Sequence, residues 1–71
     1  MWLSEISLKA ARVNAGLTLE DVSRETGVSV PTLSKWENYK TFPTARQLKT
    51  LCRLYSQSMD DIIVPDSLTE G

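Results

Sequence analysis

Apolar residues recur at three- and four-residue intervals along most of this chain, which is the spacing of one buried helical face. The first such face comprises Leu8, Ala11 and Ala15, and it follows a serine cap at Ser4 or Ser7. No segment shows the two-residue alternation of a competing strand. The pattern therefore predicts an all-α domain made of five short helices.

Glycines end the first two predicted helices, because glycine readily adopts the left-handed backbone found just past a helix end. Gly16 closes the first helix and Gly27 closes the second. Thr18 caps the second helix, with Asp21 three residues later as a weak capping box. Val22 faces the interior. The second helix is therefore expected to have about two turns and to stop at a short turn.

The third predicted helix follows that turn directly. Ser29 caps it, and Pro31 fits its first turn because the earliest helical N–H groups have no partner within the helix. Its buried side consists of Leu33, Trp36 and part of Glu37. Two short helices joined by a glycine-containing turn form a helix-turn-helix, in which one helix braces the next for the DNA major groove. Helix bundles also join helices in this way, so the pair alone leaves both interpretations open.

The helical pattern continues after a loop at residues 38–43. Thr44 and Gln47 form the capping box of a fourth helix. Its buried stripe consists of Leu48, Leu51, Cys52 and Tyr55.

A fifth short helix is predicted near the C-terminal end. Ser58 and Asp61 supply its start, and Ile62 and Ile63 are its apolar residues. Pro65 halts it, because the residue before a proline avoids helical backbone. The folded domain is expected to end at this proline.

Charge is unevenly distributed, although the chain has a formal net charge of −1. The first 58 residues hold all eight lysines and arginines but five acids, whereas the last thirteen residues hold four acids and no base. We therefore expect a mildly basic body over residues 1–58, within a domain that spans residues 1–65, and an acidic, flexible tail over residues 66–71. A mildly basic domain permits DNA binding without establishing it.

The composition argues against an enzyme. A chain of 71 residues folds as one domain with a small core and little room for a deep substrate pocket. It has no histidine, and its lone cysteine, Cys52, forms neither an internal disulfide nor a zinc site. We expect no catalytic residues, metal, cofactor or small-molecule ligand. With no signal peptide and no apolar run of roughly 20 residues, a cytoplasmic protein without membrane association is expected.

Three segments carry a resemblance to a known family: LTLEDVS at residues 17–23, GVS at residues 27–29 and TLSKWEN at residues 32–38. In this register the chain resembles the Cro and phage-repressor type of helix-turn-helix protein, the XRE-like family, over roughly residues 7–64. The resemblance implies a five-helix, lambda-repressor-like domain. It also implies that the third helix, at about residues 30–38, enters the major groove of double-stranded DNA.

The family register and helical geometry assign a base-facing side to the third helix. At about 100° per residue, this side lies opposite the buried Leu33 and Trp36. The base-contacting residues that the resemblance implies are Val30, Pro31, Thr32, Ser34 and Lys35. Lys35 is expected to donate to guanine O6 and N7, and Thr32 or Val30 to pack on a thymine methyl. The alternative is a merely solvated face.

Helix starts and the loop after the third helix supply the expected phosphate contacts, because free N–H groups and the helix dipole attract anions. The candidates are Thr18, Ser29, Asn38, Tyr39, Lys40, Thr41, Thr44 and Arg46. Each of them is also explained as an ordinary cap or loop residue. Leu19 stands where the family usually has a glutamine that grips a phosphate, and Glu20 and Asp21 add negative charge beside it. These departures predict weaker DNA affinity or an altered set of contacts.

Some residues are better explained by structure than by DNA contact. Arg12 and Glu37 match positions that form a buried ion pair in the family, which implies that they tie the first helix to the end of the third. Trp36 is interpreted as a core residue and not as a platform for stacked bases. Cys52 is likewise interpreted as a small core residue and not as a redox centre.

The resemblance implies sequence-specific DNA binding by a small transcriptional regulator of phage or bacterial type, such as a repressor. One recognition helix reads only a few base pairs, so a homodimer on a palindromic operator is expected. The apolar residues available for a dimer contact are Tyr55, Ile63, Val64 and Leu68.

A protein-interaction module is the alternative function. Such a module, antirepressor or antitoxin-like, would keep the fold with weak or no DNA binding. The acidic tail, the negative net charge and Leu19 favour it. Lys35, Lys40 and the three capped helix starts oppose it.

Overall fold

Four α-helices and one 3-10 helix make up the part of the chain that the structure, a computed structural model, describes, namely residues 6–63. The expected domain end at Pro65 and the acidic tail at residues 66–71 lie outside it. None of the described helices is long and apolar enough to cross a membrane. In chain order the helices are α1 (Leu8–Asn14), α2 (Leu19–Thr26), α3 (Val30–Glu37), α4 (Ala45–Tyr55) and the 3-10 helix (Met59–Asp61).

Side-chain caps begin every α-helix. Each capping hydroxyl accepts a hydrogen bond from the backbone N–H three residues later, and the capping residues are Ser7, Thr18, Ser29 and Thr44. Two capping boxes are complete, with Asp21 and Gln47 accepting in return from the N–H of their caps. The helix starts predicted from the sequence are therefore confirmed, with Ser7 and not Ser4 as the first cap.

Residues with left-handed backbone follow all four α-helices. The four residues, with φ between 57° and 79°, are Gly16, Gly27, Tyr39 and Ser56. The two glycines confirm the prediction. No sequence signal marks Tyr39 and Ser56, because residues with a side chain rarely adopt left-handed backbone, which costs them about 1–2 kcal/mol. Ala15, predicted on the buried side of α1, is instead an exposed C-cap, because the chain already turns away at Gly16.

The predicted fifth α-helix is wrong beyond its first turn. Ser58 caps a 3-10 helix of three residues, and Ile62 follows it in an extended conformation. Ile62 forms an isolated parallel bridge with Ile6: the N–H of Ile6 donates to the carbonyl of Asp61 at 2.7 Å, and the N–H of Ile63 donates to that of Ile6 at 3.0 Å. Pairing with the N-terminal segment gives the Asp61 carbonyl and the Ile63 N–H hydrogen-bond partners outside a helix, so extended backbone at Ile62 leaves neither of them unpaired.

The hydrophobic core draws on every α-helix and on the segment after the 3-10 helix. Helix α1 packs against α3 and α4, and α2 packs against α3. The buried hydrophobic residues are Leu8, Ala11, Val22, Leu33, Trp36, Leu48, Leu51, Cys52, Tyr55 and Ile62. Burial raises the pKa of the Cys52 thiol, which keeps it protonated and unreactive.

Arg12 and Glu37 form an ion pair that joins α1 to the end of α3. The Arg12 Nε donates to Glu37 Oε2 at 2.6 Å, and its Nη2 donates to Oε1 at 3.1 Å. The remaining Nη1 donates to the Leu17 carbonyl at 2.8 Å, so one guanidinium also holds the connection between α1 and α2. The hydrogen bond to Glu37 raises the pKa of Arg12, which stays charged. The ion pair therefore fixes the C-terminal end of α3 against α1, on the side of α3 that faces the core.

Tyr55 makes stability sensitive to high pH. Burial raises the pKa of its phenol to about 12, with Glu37 adding to the rise and Arg12 opposing it. The unfolded chain releases this proton near pH 10, so the stabilisation is fully present below about pH 10 and is lost as pH rises towards 12. We expect urea unfolding to show a loss of about 1–2 kcal/mol across this range. Tyr55→Phe should flatten that dependence and Tyr39→Phe should leave it; equal profiles for both variants would contradict the assignment.

Candidate nucleic-acid interface

The turn between α2 and α3 sets the angle at which α3 is presented. Thr26 donates from its hydroxyl to the Val22 carbonyl at 2.7 Å and accepts from the Val28 N–H at 3.2 Å. Gly27 has φ +79°, a conformation that side chains rarely adopt, and its N–H still donates to Ser23 at 2.8 Å. These hydrogen bonds all join residues within 22–28, so the turn is held by its own segment of the chain. The two helices therefore form the braced pair that the sequence predicts.

Helix α3 has one buried side and one accessible side. Leu33 and Trp36 are only 2 % and 5 % exposed and anchor the helix in the core. Lys35 and Pro31 are exposed on the other side. The three further residues predicted to contact bases are partly exposed, namely Val30, Thr32 and Ser34. The five candidates thus lie on the accessible side of α3 or at its edges, and we call this surface the α3 face.

Two hydroxyls of the α3 face already have partners. Ser29 donates to the Thr32 hydroxyl at 3.0 Å, which leaves the Thr32 methyl as its freer group. Asn38, another candidate, donates from its side-chain amide to the Ser34 carbonyl at 3.0 Å and to the Ser34 hydroxyl at 3.4 Å. Asn38 is therefore folded back onto α3. A phosphate contact from its amide N–H groups would compete with these bonds.

The loop after α3 is shaped by Tyr39. Its left-handed backbone lets its own N–H donate to Trp36 at 3.1 Å and the N–H of Lys40 donate to Lys35 at 2.9 Å, which closes the end of α3. The Tyr39 ring stacks on Phe42 with centroids 6.2 Å apart, and its hydroxyl donates to the Ile63 carbonyl at 3.4 Å. This tyrosine is thus engaged within the fold.

Lys40 and Thr41 are the loop candidates whose side chains point into solvent, since both are exposed. The backbone N–H groups of both residues donate to the Lys35 carbonyl, which holds this part of the loop at the C-terminal end of α3. Lys40 adds a full positive charge there. Of the four loop candidates, Lys40 and Thr41 therefore have the fewest competing contacts.

The three helix starts differ in charge. In the first turn of α2, Glu20 and Asp21 place two carboxylates, and hydrogen bonds from Thr18 lower the pKa of Asp21 so that it stays ionised. A carboxylate therefore already occupies this end. The first turns of α3 and α4 contain no acid. Ser29 and Thr44 thus mark more favourable anion sites than Thr18 does.

Arg46 lies in the first turn of α4, beside Thr44. It is exposed, and no ion pair engages it within residues 6–63.

Leu19 occupies the position where the family usually has a phosphate-binding glutamine. It is partly buried and packs against the core. The departure at Leu19 therefore adds packing where it removes a polar contact. Nor do the described residues bring three His, Cys, Asp or Glu side chains together as a metal site.

Comparison with known proteins agrees with this geometry. A family model described as helix-turn-helix matches residues 8–62. The chain is also similar to the HTH-type transcriptional activator BcrR of Enterococcus faecalis, with 30 % identity over 61 residues. That similarity covers 86 % of this chain but 30 % of the relative, so the chain spans under a third of the relative's length. No solved structure matches the chain. Since the family match includes all four α-helices and most of the chain, this protein belongs to the helix-turn-helix family.

Proposed function

We propose that this protein is a sequence-specific double-stranded DNA-binding transcriptional regulator that reads its site with the α3 face. The observation that carries the proposal is the α3 face itself: an accessible helix side, braced by α2, in a chain of the helix-turn-helix family. In this proposal Lys35 donates to a guanine, and Val30 or Thr32 packs on a thymine methyl. Pro31 and Ser34 complete the contact. The family match and the regulator relative also support a non-enzymatic role.

Phosphate contacts are proposed on both sides of the α3 face. On one side are the start of α3 at Ser29 and the start of α4 at Thr44, with Arg46 beside it. On the other side are the exposed Lys40 and Thr41. Each contributes either free N–H groups at a helix start or a side chain in solvent. Thr18, Asn38 and Tyr39 are proposed as weaker contacts, because an acid or an internal hydrogen bond already engages them.

The proposal is tested by selecting sites from random duplex DNA with the purified protein. We expect a palindromic site to be enriched and then bound in titrations. At about 50 and 200 mM salt, log K should fall with log salt by about 0.9 per phosphate neutralised. Failure to enrich any site, with binding indifferent to sequence, would reject the proposal.

Binding as a homodimer is proposed as well, since a two-fold operator needs two recognition helices about 34 Å apart. Of the residues predicted for the dimer contact, Tyr55 is only 7 % exposed and belongs to the core, so it is not proposed as a contact. Val64 and Leu68 lie outside the described residues. Ile63 is 39 % exposed, and Met59, four residues earlier in the chain, is 37 % exposed. We propose these two side chains as the apolar centre of the contact.

Ile63→Glu is expected to convert the dimer to a monomer and to weaken operator binding, because it places a charge in an apolar contact. Analytical ultracentrifugation with and without operator DNA measures the change. Val13→Glu is the matched control, since Val13 is an apolar residue 56 % exposed on α1. A purely monomeric wild-type protein in both conditions would remove the dimer proposal.

A protein-interaction module is the second candidate function. The acidic first turn of α2 and the core packing of Leu19 favour it, since both weaken one phosphate site of the usual scheme. In this case the α3 face would bind protein in place of DNA. Binding that is weak and indifferent to sequence in the selection experiment is the result that favours this candidate.

A further inference from the structure

A groove runs between the C-terminal part of α2 and α4, and Arg46 is the one residue that it shares with the proposed DNA contact. It consists of two adjoining cavities of about 180 Å³ and 360 Å³. Both cavities are lined by Thr26 and Thr50. We call it the α2–α4 groove and define it by Thr26, Val28, Trp36, Thr50, Leu51 and Leu54.

The floor of the α2–α4 groove is apolar. In the first cavity it is formed by edges of Trp36 and Leu51, which are otherwise buried, and by the partly buried Val28. Leu54 extends the apolar lining into the second cavity. A cavity of about 150 Å³ is large enough for benzene, so the first one accepts a leucine- or phenylalanine-sized side chain.

The rim of the groove along α4 is basic. Helix α4 has three basic residues and no acid: Arg46, Lys49 and Arg53. At about 100° per residue they fall within a stripe roughly 60° wide, and all three are exposed. None of them forms an ion pair with another described residue. Arg46 lines the first cavity and Arg53 the second, opposite Glu25, the one acid among the groove-lining residues.

An apolar floor beside a basic rim favours one kind of occupant. A DNA backbone would satisfy the cations but has no apolar side chain to fill the first cavity. A neutral apolar segment would fill the cavity but leave Arg46 and Arg53 without counter-charges. An acidic peptide with one large apolar side chain complements both features.

We propose that the α2–α4 groove binds an acidic segment of a partner protein. This segment inserts a leucine- or phenylalanine-sized side chain between Val28, Trp36 and Leu51, and its carboxylates pair with Arg46 and Arg53. The inference goes beyond DNA binding and does not depend on it, because its deciding residues, Thr50 and Arg53, have no part in the proposed DNA contact.

The test is an NMR titration of the isotope-labelled 71-residue chain. The probe is a synthetic peptide in which leucine recurs every three or four residues among glutamates. We expect saturable shifts of the Thr26, Val28 and Thr50 amides and of the Trp36 indole N–H. A peptide of the same pattern with lysine for glutamate should cause none of them.

Two variants separate a groove site from general attraction. Thr50→Phe fills the groove from an exposed position, and Arg53→Glu reverses a rim charge; each should weaken peptide binding by about tenfold or more. Arg24→Glu is the matched control, because it makes the same charge change on an exposed part of α2 outside the groove lining. It should bind the peptide like the wild type, and the amide spectrum of each variant reports whether it is folded.

Three results would overturn the inference. The first is an absence of saturable shifts with the glutamate–leucine peptide. The second is equal weakening by Arg24→Glu and Arg53→Glu, which would mean that only net charge matters. The third is that duplex DNA produces the same shifts in the groove and loses them in Arg53→Glu, which would assign the surface to DNA.

Discussion

Replacing Glu37 with alanine is expected to lower the free energy of unfolding by about 3–5 kcal/mol. The reason is that Arg12 would keep its charge in a site where its side chain is only 12 % exposed, without the carboxylate that now accepts two of its hydrogen bonds. For a domain of this size such a loss approaches the total stability. Urea unfolding followed by tryptophan fluorescence measures it, since Trp36 lies in the core.

Two further variants control this prediction. Arg12→Met combined with Glu37→Leu removes both charges and keeps apolar volume, so it should recover much of the loss. Arg24→Ala breaks the exposed Arg24–Asp21 pair, with a distance of 3.4 Å, and should change stability far less. If Glu37→Ala unfolds at the wild-type urea concentration, the ion pair does not hold α3 against α1.

Lys35→Ala is expected to lower affinity for the selected operator by about 10–100-fold, corresponding to roughly 1–3 kcal/mol. Lys35 is the one charged side chain of the α3 face, and alanine preserves the helix. Because the lost contact is to a base, specificity should relax at one position of each half-site. Affinity for unrelated duplex DNA should fall less.

Lys9→Ala is the control for this prediction, since Lys9 is an exposed lysine on α1 and the change in net charge is identical. Titrations of operator and unrelated DNA at one salt concentration measure both variants. Equal losses for Lys9→Ala and Lys35→Ala would reduce the contribution of Lys35 to general electrostatics. A uniform loss over all sequences would make Lys35 a phosphate contact and not a base contact.

Local chemistry accounts for what could be predicted about the helices. A cap needs only a hydroxyl and an N–H three residues apart, so Thr18, Ser29 and Thr44 were readable from the sequence. Gly27 was readable as well, because its left-handed backbone favours glycine. The left-handed backbone after α3 and α4 escaped prediction, since Tyr39 and Ser56 occupy positions that no glycine or asparagine marks.

The accessible side of α3 follows from helical periodicity once Leu33 and Trp36 are taken as buried. Periodicity did not reveal that Asn38 is bonded to Ser34 or that Tyr39 is tied to Ile63. These contacts decide which phosphate candidates have free groups. The basic rim of the α2–α4 groove was also visible only in part, because the sequence shows the cations of α4 but not the cavities beside them.

By itself, the sequence determined the helix starts, the buried stripes of α2 to α4, the helix-turn-helix pair and the family, because each depends on residues close together in the chain. Only the tertiary structure decided the fate of the C-terminal segment. There Ile62 pairs with Ile6 from the other end of the described chain, and this long-range bridge outweighs a local pattern that favours a helix. The tertiary structure likewise decided between the two roles that the sequence left open for Tyr55, a core residue or a dimer contact, since its 7 % exposure depends on how the helices pack around it.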